Sequence, residues 1–152
     1  MLVVLLTLVI SSCVTMGPSF VEHISPADKA TLYIYRSSTI VGIADPDYPT
    51  LFINDIEASK LKIGGYTAVS LESGNYDINI MKSLLGIGPQ NNEVARLNMD
   101  LSQGETVYLK FKIDAFIGKV IFGFQVMDET NGKAQVSKTK LRPLINDVFE
   151  PK

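Results

Sequence analysis

The chain has 152 residues, 46% of them hydrophobic and 20% charged, with a net charge of −2 and one cysteine. This balance belongs to a globular protein rather than a disordered one, and the near-neutral charge supplies no basic patch for a nucleic-acid backbone. A single cysteine excludes an internal disulfide, and one domain of about 140 residues buries about two-thirds of its unfolded surface, enough to fold without metal or cross-link.

Residues 1–10, Met-Leu-Val-Val-Leu-Leu-Thr-Leu-Val-Ile, form an apolar run. It is shorter than the roughly 20 residues that span a bilayer and has the length of a signal-peptide apolar region. Small residues and the cysteine follow, as Ile10-Ser11-Ser12-Cys13. This resembles the bacterial lipobox. The resemblance implies that Ile10, Ser11 and Ser12 are recognition positions, that the Cys13 thiol receives diacylglycerol, and that the leader is cut before Cys13. Two or three acyl chains would then anchor the protein, each buried methylene contributing about 0.8 kcal/mol.

No Lys or Arg precedes Lys29, which departs from the usual basic start and fits a start upstream of Met1 or an atypical leader. The competing reading is a buried apolar helix with an inert cysteine. Against it, Met16-Gly17-Pro18-Ser19 reads as a tether. Val14 stands where an Asp retains enteric lipoproteins in the inner membrane. By that analogy the protein is expected in the bacterial cell envelope, on the outer membrane facing the periplasm if the organism has one. The expected organisation is a signal peptide over 1–12, a lipidated N-terminus and tether over 13–28, and a β domain over 29–152.

From Lys29 onward the pattern is that of strands. Residues 31–36 are β-branched and aromatic and apolar on both faces, as suits a central strand covered on both sides. Residues 51–53 lead into Asn54-Asp55, two residues that tolerate positive φ, so a tight hairpin is expected with its return strand at 58–63. Gly64-Gly65 and Ser73-Gly74-Asn75 mark turns on either side of a strand at 66–71. Strict alternation follows: Tyr76, Ile78 and Ile80 against Asp77 and Asn79; Ala95, Leu97, Met99 and Leu101 against Arg96, Asn98 and Asp100; Val107, Leu109, Phe111 and Ile113 against Tyr108, Lys110 and Lys112. Phe122, Phe124 and Val126 make the last long strand, and 128–138 has room for one short helix capped by Asp128. These elements predict an all-β fold, an antiparallel β-sandwich of about 7–9 strands with one short helix near the C-terminus.

Several of these segments together resemble a family of small bacterial lipoproteins that carry a domain of unknown function. They are Leu32-Tyr33-Ile34-Tyr35-Arg36, Phe52-Ile53-Asn54-Asp55, Lys60-Leu61, Gly65-Tyr66, Leu71-Glu72-Ser73-Gly74-Asn75-Tyr76 and Gly104-Glu105-Thr106-Val107-Tyr108. The likeness runs over roughly residues 29–140 and implies a sandwich without bringing an activity.

The chemistry legible in the chain is sparse. His23 is the only histidine and lies in the expected tether, so no Ser/His/Asp arrangement is argued from it. Cys13 is accounted for by lipid, leaving no thiol nucleophile or zinc cluster. Gly86-Ile87-Gly88-Pro89 lacks the lysine of a phosphate loop, and Asp45-Pro46-Asp47 reads as a loop rather than a calcium site. No catalytic residue, metal or cofactor is expected.

Arg36, Tyr35 and Tyr66 are the candidate ligand or partner contacts. For Arg36 the plainer reading is a packed stem with its head in solvent; for Tyr33, Tyr35, Tyr66 and Tyr76 it is core packing. The apolar stretches 84–89 and 116–118 are either a surface patch or caps over the sandwich ends. Three functions stand: a membrane-anchored, non-enzymatic interaction or assembly module; a glycan- or peptide-binding module using a tyrosine-lined face; and, third, a small hydrolase with facing carboxylates. The expected partners are the membrane through Cys13 and an envelope protein or glycan, and no nucleic acid.

Overall fold

A computed structural model describes residues 17–37, 48–83 and 91–152, with the backbone alone at 115 and 116. The lipobox, Cys13, Asp45-Pro46-Asp47 and the 84–89 stretch lie outside the described residues. The elements are β1 Ala30–Arg36, β2 Thr50–Ile53, β3 Ile56–Lys60, β4 Gly65–Leu71, β5 Gly74–Lys82, β6 Asn92–Leu101, β7 Thr106–Phe116, β8 Lys119–Met127, α1 Glu129–Val136 and β9 Lys140–Leu141. They form two sheets, β8-β7-β1-β4-β9 and β3-β2-β5-β6, an all-β sandwich as the alternation predicts.

The first sheet is mixed rather than purely antiparallel. β1 pairs with β4 antiparallel but with β7 parallel, and β4 pairs with β9 parallel. Parallel partners need a long crossover, and here the whole second sheet lies between β1 and β7 in the chain.

All seven residues of β1 are buried. Ala30, Leu32 and Ile34 point inward with Leu51, Ile53, Val69, Tyr76, Ile78, Ile80 and Leu109 to form the core between the sheets. The other face of the strand carries Tyr33 and Tyr35, which join Tyr66, Ala68, Tyr108 and Val136 in a second apolar layer. This explains why β1 is apolar on both faces: sheet covers one, and the N-terminal segment and α1 cover the other.

The hairpin between β2 and β3 turns on Asn54 and Asp55, with φ of 49° and 65°, a pair of left-handed residues whose twist suits a two-residue connection. The return strand begins at Ile56 and ends at Lys60, ahead of the expected 58–63. Glu72 and Ser73 turn the chain into β5, because Gly74 and Asn75 already pair with Leu101 and Asp100. The Asp128 carboxylate accepts from the Asn131 N–H and caps α1.

Candidate functional site

Residues 17–28, read from the sequence as a tether, lie against the outer face of the first sheet. The strap starts beside β9, where the Leu141 N–H donates to the Pro18 carbonyl at 3.0 Å and Ser19 bridges Lys140. Phe20 then inserts between two tyrosines, its ring centroid 6.0 Å from that of Tyr33 and 5.4 Å from that of Tyr66. Both phenol oxygens accept from strap amides: Tyr66 from Val21 at 3.2 Å and Tyr33 from His23 at 2.8 Å. Buried phenols need such partners, and the strap supplies backbone groups that would otherwise be left to water.

The register places the aromatic rings. Tyr33 is opposite Tyr108 of β7 and Ala68 of β4, and Tyr35 is opposite Lys110 and Tyr66. Tyr33 and Tyr108 stack 5.0 Å apart with ring planes 3° from parallel. Tyr35 donates to the Gln135 side-chain oxygen of α1 at 3.3 Å, an oxygen that also accepts from Lys110 at 3.0 Å. Burial, and then the Asp128 charge, pushes the Tyr35 hydroxyl up to about 12. Burial likewise raises Tyr33, Tyr76 and Tyr108, since an anionic phenolate is disfavoured where water is excluded.

Next along the strap is a chain of hydroxyls. Thr31 Oγ1 donates to Ser25 Oγ at 2.6 Å, Ser25 Oγ lies 2.7 Å from Ser70 Oγ, and Ser70 Oγ lies 2.8 Å from His23 Nε2. Thr31 and Ser70 are opposed across β1 and β4, so the sheet register builds half of this cluster and the strap the other half. Burial holds the His23 imidazole below its ordinary value. A serine beside an imidazole is the first element of a nucleophile. Here Ser70 is the imidazole's single hydrogen-bond partner among the described residues, with no carboxylate to orient the ring. These hydrogen bonds fasten the strap to the sheet.

Beyond Phe20, a cleft of about 540 Å³ opens between the strap and α1, lined by Phe20, Glu129, Thr130, Lys133, Ala134 and Ser137. Lys133 crosses its mouth to reach Glu22 of the strap at 2.7 Å.

The residues singled out from sequence divide accordingly. Tyr33, Tyr35 and Tyr66 do share one face, but it is a covered face: they are 2%, 0% and 1% exposed. Tyr76 is not part of it. It lies in the inner core and donates to the Glu72 carbonyl at 3.1 Å. Arg36 is a correction, for its head is not in solvent. It is 1% exposed and its guanidinium donates toward the Leu61 carbonyl at 3.5 Å. The cause is the 61–65 connection and Arg142, which close over the end of β1 at Gly65. Of the 116–118 stretch, Ile117 stands 87% exposed at the tip of the β7–β8 hairpin.

Sequence reading does not single out Phe20, Ser70 or Tyr108, and it places His23 in a tether without a partner. Tyr108 stood in the alternation on the same side as Lys110, and only the parallel pairing of β7 with β1 reveals that this side is covered. Phe20, an aromatic within a Pro/Ser-rich stretch, was the one local signal that the segment packs.

The outer face of the second sheet is polar. Arg96 ties Asp77 and Glu93 together, Asn75 and Asn98 exchange amide bonds at 2.8 Å, and Lys152 reaches Asp77 at 3.3 Å. Hydrogen bonding from Arg96 holds the Glu93 carboxyl below the usual range. Arg96 and Lys152 thus draw Asp77 and Glu93 into one ion network.

Comparison of the chain with protein-family descriptions, with curated proteins and with solved structures finds no match.

Proposed function

We propose that this chain is a lipid-anchored protein of the bacterial cell envelope, a non-enzymatic interaction or assembly module held to the membrane through Cys13. The anchor reading rests on the order of residues 1–13, an apolar run followed by Ile10-Ser11-Ser12-Cys13. The observation that carries the module reading is the docking of the strap. Phe20, Val21 and His23 are fastened to Tyr66 and Tyr33, and only residues 14–16 separate Cys13 from the described chain. A chain spans at most about 3.6 Å per residue, so a lipid on Cys13 would hold the sandwich close to the bilayer, with the strap edge facing it. On this reading the protein sits on the outer membrane, facing the periplasm, and offers its remaining surface to an envelope protein or glycan.

Metabolic labelling with a clickable fatty acid tests the anchor: wild type is labelled and found with membranes, whereas Cys13→Ala is unlabelled. Labelling of both would sink it. Crosslinking in cells followed by pull-down tests the module: a specific envelope partner is recovered with wild type and lost with Cys13→Ala. Burial of Tyr33, Tyr35 and Tyr76 counts against the glycan- or peptide-binding alternative, which would require the strap to leave the tyrosine face; binding that strengthens on Phe20→Ala would favour it.

A further inference from the structure

Among the described residues the sandwich has four sheet edges, and three are protected. β9 has two residues and is flanked by the strap. β3 carries Glu57 and Lys60, has a register shift against β2, and is crossed by the C-terminal segment, where the Ile145 N–H donates to the Ala58 carbonyl. β6 displays Glu93, Arg96 and Asp100. These are the ordinary devices against edge-to-edge pairing: short strands, charges, irregular register and covering chain.

The fourth edge, β8, lies near β6 of the other sheet, but among the described residues no strand pairs with its outer side and it lacks the other devices. It runs nine residues, pairs with β7 alone in an unbroken register, and contains neither proline nor any charge beyond its first residue, Lys119. Val120, Ile121 and Val126 are 47%, 56% and 57% exposed along it. Its sequence is also close to a palindrome, Lys119-Val120-Ile121-Phe122-Gly123-Phe124-Gln125-Val126-Met127.

We propose that β8 is a self-association edge, at which a second copy of this chain pairs antiparallel about a two-fold axis at Gly123. In that register Val120 faces Val126 of the second copy and Phe122 faces Phe124. Because both pairs lie on one face of the strand, an apolar stripe continues across the axis. Cross-strand aromatic and β-branched pairs of this kind stabilise antiparallel strands. The charges are compatible: Lys119 meets Met127 of the second copy rather than another Lys119, and no like charges face. Gly123 sits on the axis, and a Cβ built there meets nothing within 4 Å, so the position accepts a side chain in a test variant. The interface is isologous and closes on itself. It belongs to the small, reversible class, because one paired edge buries little surface.

Disulfide trapping of the full chain, expressed in bacteria and oxidised in cells, tests both the contact and its register. Gly123→Cys brings two thiols directly opposite one another, within the 4.4–6.8 Å Cα separation a disulfide accepts (a range of about 2 Å), and gives a band at twice the monomer mass. Val120→Cys alone leaves its two thiols about 20 Å apart at ~3.3 Å per residue and gives none, whereas Val120→Cys with Val126→Cys restores the band. Wild type under the same oxidation accounts for any linkage through Cys13. Ultracentrifugation of the detergent-solubilised full chain gives a second measure: a concentration-dependent dimer for wild type, lost in Gly123→Lys, which sets two ammonium groups face to face. Absence of the Gly123→Cys band, or equal trapping by Val120→Cys alone, overturns the proposal, as does a wild-type chain that stays monomeric at all concentrations.

Discussion

The ring of Phe20 packs 5.4 Å from the ring of Tyr66, whose hydroxyl oxygen accepts from the backbone N–H of the very next residue, Val21. One tyrosine thus holds the strap by both its apolar and its polar end. Truncating Phe20 removes the apolar hold and frees the polar one to exchange with water. Phe20→Ala is expected to cost about 2 kcal/mol, less than the 3–5 kcal/mol of a fully buried phenylalanine because Phe20 is half-buried. Denaturant unfolding measures the loss, and amide exchange at Val21 and His23 should accelerate with it. Ile24→Ala, at a position 89% exposed, should stay within about 0.5 kcal/mol of wild type.

Docking of the strap should weaken in acid. An unfolded imidazole titrates near 6.5, and burial holds folded His23 lower. Below pH 6.5 the unfolded chain therefore binds more protons than the folded one, and the contribution of His23 falls as pH drops from about 6.5 through the folded value. Above pH 6.5 it is fully present. Unfolding free energies measured from pH 8 to pH 5 should decline on this limb, and His23→Gln should flatten it. An unchanged slope in the variant would place the pH dependence elsewhere.

Gly132 separates helix propensity from packing. Alanine in its place would gain up to about 1 kcal/mol of intrinsic helix preference. The added Cβ, however, would fall 2.4 Å from both Cβ and Cγ of Tyr108, a side chain stacked on Tyr33. Overpacking of this kind costs about 1–3 kcal/mol. Gly132→Ala is expected to lower the melting temperature, and a rise would show that α1 shifts freely on the sheet.

Arg36 should behave as a core residue. A strand-end arginine with a solvated head changes stability by less than about 0.5 kcal/mol when truncated. With Arg36 1% exposed, Arg36→Ala removes a packed stem and a buried charge together, and a loss of about 3 kcal/mol is expected. Chemical denaturation with an unchanged m-value would check it.

What residues 29–152 say by themselves comes from local physics. The period-two runs at Tyr76, Ile78 and Ile80 and at Val107, Leu109, Phe111 and Ile113 mark which side of each strand enters the core. Asn54-Asp55 specifies its turn because both residues accept positive φ. Asp128 specifies the start of α1 because its carboxylate reaches the Asn131 N–H three residues on. All of this depends on neighbours in sequence. Tertiary structure alone decided which outward face is covered. It seated β7 beside β1, so that Tyr108 stacks on Tyr33. It closed Arg36 under the β4 end of the sheet, and it brought His23 within 2.8 Å of Ser70, 47 residues away. A polar or aromatic side chain on an alternating strand looks the same to its neighbours whether solvent or a strap lies above it. The difference is made by a long-range contact that carries no local periodicity.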